Sequence, residues 1–246
     1  MSAPDVAAPV ATPVAATRRA SAARVARFTT VERIAHWVNA VLFAVTILTG
    51  LMFRFGWGQS VITDRLLARN IHVFSGLGIV VAFAIAVVPR WGRALRRDLS
   101  RVNRWSPDDV RWIRSRGRDT TVKLGKFNPG QKLNVIFVAA AAVILSATGA
   151  MMKWNEPFST DLRNGATFVH DWFAYAIFAV VFGHIVMALK DRESIRGITY
   201  GTVSAEWARH HRPAWYAEQR REAHAASGNT SSAPADTTEG PVPVDA

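Results

Sequence analysis

The chain has 246 residues, 50% of them hydrophobic, a formal net charge of +12 and no cysteine. The lack of cysteine excludes disulfides, thiolate metal sites, covalently attached haem and the usual iron–sulfur ligation within this chain. A basic balance alone would admit nucleic acid, but charge here lies between four long apolar blocks, the pattern of Arg-flanked membrane spans.

In chain order, residues 1–27 are rich in Ala, Pro and Val and carry Arg18, Arg19, Arg24 and Arg27, which reads as a disordered leader rather than a secretory signal. Residues 28–200 read as one all-α unit, an integral membrane four-helix bundle, with spanning helices expected over about 34–53, 71–88, 133–152 and 168–189. Each block matches the roughly 20 residues needed to cross a hydrocarbon layer as a helix, which satisfies its own backbone polar groups. The loop 90–130 should hold a short helix: Ser106 suits the N-cap, Pro107 the first turn, and Asp108 and Asp109 the positive helix end. Trp112 and Ile113 among Arg111, Arg114, Arg116 and Arg118 suggest that this helix lies on the membrane surface. Residues 201–222, with Trp207 and Trp215-Tyr216 around Pro213, read as another surface segment, and 223–246 as a disordered tail. No internal repeat is evident.

Lys and Arg number five up to Arg33, twelve between Arg90 and Lys126, and seven from Lys190 onward, against three and two in the remaining loops. The positive-inside rule therefore puts both termini and the middle loop in the cytoplasm.

Seven histidines occur, and His36, His72, His170 and His184 fall in the apolar blocks. Polar ionisable residues in a span mark function by default. His170 and His184 are 14 residues apart, which at 1.5 Å and 100° per residue puts them on one helix face about 21 Å apart. Alternating helix direction then matches His36 with His184 near the cytoplasm and His72 with His170 near the outer face. Two histidines on facing helices at equal depth suit axial ligation of one haem iron, so the four suit two b-type haems. Two ligands per pair are too few for structural zinc. A proton or ion pathway is the competing reading. Arg33, Arg54 and Arg69 read as interfacial anchors.

The chain resembles the membrane-bound cytochrome b (gamma) subunit of respiratory formate dehydrogenases. The resemblance is carried by Glu32-Arg33-Ile34-Ala35-His36-Trp37, by His72, by Lys126-Phe127-Asn128-Pro129-Gly130-Gln131-Lys132, by His170 and His184, and by the tail from Glu206 to Tyr216. It implies haem ligation by His72 with His170 and by His36 with His184. It also implies a location in the bacterial inner membrane, a quinone pocket of Asn128, Gly130 and His184 beside the inner haem, an iron–sulfur (beta) partner subunit, and through it a catalytic formate-oxidising (alpha) subunit. In that pocket the side chains of Asn128 and Gln131 can donate hydrogen bonds to a quinone oxygen. The histidine set is shared with the cytochrome subunits of hydrogenases, which stand as the alternative, alongside a haem-free transporter or anchor.

Overall fold

A computed structural model describes residues 23–56, 64–88 and 90–230. Four helices are long and apolar enough to cross a membrane: α1 (Thr30–Phe55), α2 (Arg65–Val87), α5 (Pro129–Lys153) and α6 (Thr160–Lys190). All begin ahead of the apolar blocks because polar caps extend them. Thr29 and Glu32 form a reciprocal capping box on α1, Asp64 caps α2 through the Leu66 and Leu67 amides, and Asn128 and Gln131 form a second capping box on α5. Gly56, at φ 71°, ends α1 in the left-handed conformation that glycine adopts without steric cost. The 31 residues of α6 span about 46 Å, well beyond a hydrocarbon core of about 30 Å.

The helices pack antiparallel in chain order, with principal interfaces α1–α2, α2–α5 and α5–α6. Short polar ties hold these seams. Thr46 and Ser75 hydroxyls lie 2.8 Å apart between α1 and α2, and Ser146 donates to the Gly76 carbonyl at 3.3 Å between α5 and α2. Most of the helices' apolar surface faces outward, as a lipid solvent requires: Ile34, Val41, Leu48, Phe74, Phe168 and Phe182 are all exposed.

A cap of short elements covers the bundle end where α1 and α5 begin. It comprises α3 (Arg93–Val102), α4 (Pro107–Arg114), α7 (Arg192–Tyr200), α8 (Ala205–His211), α9 (Pro213–Thr230) and a two-stranded ribbon, β1 (Arg24–Ala26) antiparallel to β2 (Thr202–Ser204). The expected loop helix forms where its caps put it, with Ser106 and Asp109 closing a capping box. Its Trp112 is half-buried and packs beside Gly117 and Gly130.

Residues 201–222 differ from the expected surface segment. Val203, Trp207, Ala208 and Trp215 form a small buried core, with Val25 and Tyr216 packed against it. The two tryptophans read as part of a surface segment, yet they meet across β2, α8 and α9. Two boundaries also move. β1 occupies part of the stretch read as leader, and α9 continues into the stretch read as tail. The remainder of both, residues 1–22 and 231–246, lies outside the described residues.

The fold contains a repeat that composition conceals. Thr49-Gly50-Leu51-Met52 of α1 corresponds to Thr148-Gly149-Ala150-Met151 of α5, followed by basic Arg54 and Lys153. On the next helix of each hairpin, Ala68, His72 and Ile79 correspond to Ala166, His170 and Ile177, and all four apolar members are buried. Each basic residue reaches into the other hairpin: Arg54 donates to the Tyr175 hydroxyl and Lys153 to the Asn70 side chain, both at 2.7 Å.

Candidate functional site

The four intramembrane histidines assemble into two pairs. His72 on α2 and His170 on α6 face each other with ring centroids 6.3 Å apart, and His36 on α1 and His184 on α6 do so at the same 6.3 Å. The first pair lies within about three turns of the starts of α2 and α6, and the second within about two turns of the start of α1 and the end of α6. The depth matching expected from spacing is therefore the pairing that the fold brings together.

The separation has a chemical meaning. Two metal–imidazole bonds of about 2 Å, with a ring radius of about 1 Å on each side, space two rings about 6 Å apart across one metal ion. Direct histidine–histidine hydrogen bonding would bring the rings closer. The donor set is two imidazoles at each site, and among the described residues no cluster of three or more His, Cys, Asp or Glu is placed to hold a bare metal ion. Two axial nitrogens suit a metal whose other positions are filled by a macrocycle, as in haem. Neither α1 nor α2 makes a principal interface with α6, so the paired rings, rather than close helix packing, are what face each other there. The residues present fit haem at both sites.

The surroundings of the two pairs differ. His72 Nδ1 lies 3.1 Å from the Thr46 carbonyl and 3.0 Å from Thr49 Oγ1. His170 Nδ1 lies 3.0 Å from Thr148 Oγ1. Gly50 and Gly149 leave room for these rings, since a Cβ would stand 3.3 Å from His72 Cε1 and 3.2 Å from His170 Cε1. Near the inner pair, Trp37 meets His36 edge-on at 5.4 Å. Asn39, three residues beyond His36, donates to the Ala35 carbonyl and leaves its own Oδ1 buried without a partner among the described residues.

The residues expected to bind quinone lie at the same bundle end as His36 and His184. Asn128 is first of all a helix cap: its Oδ1 accepts from the Gln131 amide at 2.8 Å, and Gln131 Oε1 accepts from the Asn128 amide at 3.1 Å and from Arg212 at 3.2 Å. Gly130 is exposed and lies beside Trp112. The amide nitrogens of Asn128 and Gln131 remain as donors, since the capping box uses only their oxygens.

Beneath this stretch lies a buried ionic group. Lys126 contacts Asp98 and, at 3.4 Å, Glu32; Arg101 joins Asp98 at 3.1 Å and Glu218 at 2.7 Å. Lys132 pairs with Asp109 at 2.8 Å and donates to the Arg104 carbonyl. Burial, with the neighbouring Glu32 carboxylate that accepts the Asp98 proton, pushes the Asp98 carboxyl up to about 6 against the pull of Lys126. Arg27, stacked on Trp207 and donating to Ser194 and the Lys126 carbonyl, is lowered to about 9 by burial and by Arg212, and stays charged at neutral pH. Sequence reasoning missed this group, because its members are spread from residue 32 to 218. It also missed Thr49 and Thr148, for which the repeated Thr-Gly-x-Met was the available signal.

Four apolar spans holding two facing histidine pairs define a helical membrane cytochrome b. Residues 27–201 match the model of the prokaryotic cytochrome b561 family. The chain belongs to that family, which binds haem b. It is 32% identical over 80% of its length to a formate dehydrogenase cytochrome b556 subunit of Haemophilus influenzae, covering 84% of that protein. It is also similar to two Escherichia coli K12 proteins. One is a formate dehydrogenase cytochrome b556 subunit, 29% identical over 80% of this chain and 94% of that protein. The other is the cytochrome b556 subunit of a nitrate-inducible formate dehydrogenase, 26% identical over 76% and 88%.

Proposed function

We propose that this chain is the cytochrome b subunit of a formate dehydrogenase complex, passing electrons from an iron–sulfur subunit across the bacterial cytoplasmic membrane to a quinone. The observation that carries this reading is the presence of two histidine pairs, each at metal-spanning separation, near opposite ends of the bundle. Bound between such rings, haem b supplies one-electron transfer at an iron with no open position for oxygen chemistry.

His72 and His170 hold the outer haem and His36 and His184 the inner one. The charge distribution supports this orientation, since the capped end with both described chain ends carries most of the Lys and Arg. The names of the relatives supply formate as the upstream substrate, and with it an iron–sulfur (beta) and a catalytic (alpha) partner. At the capped end the free amide donors of Asn128 and Gln131, with His184 and the open surface at Gly130, form the quinone pocket. There a quinone takes two electrons and two cytoplasmic protons. Moving two electrons inward works against an inside-negative potential at about 4.6 kcal/mol per 100 mV, which formate oxidation must supply.

Purification of the native complex tests the assignment. Formate should reduce two haems per chain and then quinone. Reduction by hydrogen but not formate would move the chain to a hydrogenase complex, and a chain without a haem absorbance band would be an anchor or transporter. A reporter fused at the C-terminus should remain in the cytoplasm; its export would reverse the two haems.

A further inference from the structure

The outer histidines rest on a repeated dipeptide. Thr49-Gly50 meets the Nδ1–Cε1 edge of the His72 ring, and Thr148-Gly149 meets the same edge of His170. In each case the threonine supplies an oxygen 3.0 Å from Nδ1 and the glycine admits Cε1.

The direction of these hydrogen bonds follows from the neighbours. Thr49 Oγ1 lies 2.8 Å from the Val45 carbonyl and Thr148 Oγ1 2.8 Å from the Ile144 carbonyl. A carbonyl only accepts, so each hydroxyl proton points back along its own helix and leaves its lone pairs toward the ring. His72 Nδ1 also lies 3.1 Å from the Thr46 carbonyl. Nδ1 must then carry the proton in both rings, and the Nε2 lone pair is left for the metal. Among the described residues neither inner ring, His36 or His184, has a hydrogen-bond partner on either nitrogen.

Acceptors on the remote N–H of a ligating imidazole make the ring a stronger electron donor and fix its tautomer and angle. A stronger donor stabilises ferric iron over ferrous and so lowers the potential of the centre.

We propose that Thr49 and Thr148 are paired positioning residues that hold His72 and His170 with Nδ1 protonated and make the outer haem the lower-potential centre of the two. This rests on the proposed haem sites and adds to them an order of potentials written into the repeat. With that order, outer-to-inner transfer is downhill in potential and offsets part of the work against the membrane field.

The test is spectroelectrochemical redox titration of the full chain in its complex. A His184→Ala variant, expected to keep only the outer haem, identifies which component is which. The outer component of the wild type should titrate below the inner one. Thr49→Val and Thr148→Val should each raise the outer midpoint and leave the inner midpoint in place, while Thr49→Ser and Thr148→Ser restore the wild-type value. If a Val variant loses the outer haem, a Ser variant that keeps it at the wild-type midpoint still assigns the role to the hydroxyl. An outer midpoint unmoved in Val variants with full haem content would overturn the proposal. So would Ser variants that shift as the Val variants do, or an outer centre that titrates above the inner one. A wild-type chain without haem would instead fail the functional reading itself.

Discussion

Lys126, on the approach to α5, sets its ammonium against the Asp98 carboxylate of α3, with Glu32 of α1 and Arg101 as the other charged groups around that carboxylate. Asp98 is held up to about 6, chiefly by burial, against an ordinary carboxylate value of about 4. Between about pH 4 and 6 the folded chain keeps this proton and the unfolded chain has lost it, so the contribution of Asp98 to stability falls as pH rises through that window. The wild type should therefore lose thermal stability relative to Asp98→Asn between pH 4 and 6, with the difference level above 6. Paired unfolding midpoints in detergent across pH 4–7 measure this, and a gain over that range would show Lys126 dominating instead.

Asn128 has two separable functions. Its Oδ1 caps α5, and its Nδ2 is the donor proposed for quinone. Asn128→Ala removes both and should cost about 1 kcal/mol of stability as well as slowing quinol formation. Asn128→Asp keeps the capping oxygen and loses the donor. It should unfold like the wild type and keep both haem spectra, yet reduce quinone more slowly. Unchanged quinone kinetics in Asn128→Asp would remove Asn128 from the pocket.

Gly149→Ala would put a Cβ 3.2 Å from His170 Cε1, on a ring already tied through Nδ1. That ring has little freedom to retreat, so the substitution should perturb or partly empty the outer haem site and leave the inner one intact. Gly165→Ala, in the same region of α6 with nothing within 4 Å of the added carbon, should be neutral or stabilise by up to about 1 kcal/mol. Haem content and reduced-minus-oxidised spectra of the two variants give the comparison.

His184→Ala should remove the inner haem and abolish quinone reduction while His72 and His170 keep the outer one. Loss of both haems together in a folded chain would mean that the pairs do not act as separate sites.

Much of this architecture was legible in the sequence, and the legible parts share a cause. Spans follow from the thickness of hydrocarbon, and the pairing of His36 with His184 and His72 with His170 follows from helix rise and alternating direction. The helix at Pro107 followed from its capping residues. What escaped were contacts between positions far apart in the chain. Trp207 and Trp215 bury each other only after β2 pairs with β1, and Lys126 finds Glu32 and Asp98 only when three helices converge. The hairpin repeat escaped because its members are a Thr-Gly pair and small apolar residues, types that any membrane helix uses for close packing.

In the proposed haem sites both histidine pairs draw one ligand from α6, the last of the four spans. A ribosome delivers α1, α2 and α5 first, and those three helices hold His36 and His72 as single, unmatched ligands. Neither pair is complete until α6 has entered the bilayer. On the proposed sites, a chain that stops short of α6 has no complete histidine pair for either haem, so haem loading reports that all four spans have been inserted.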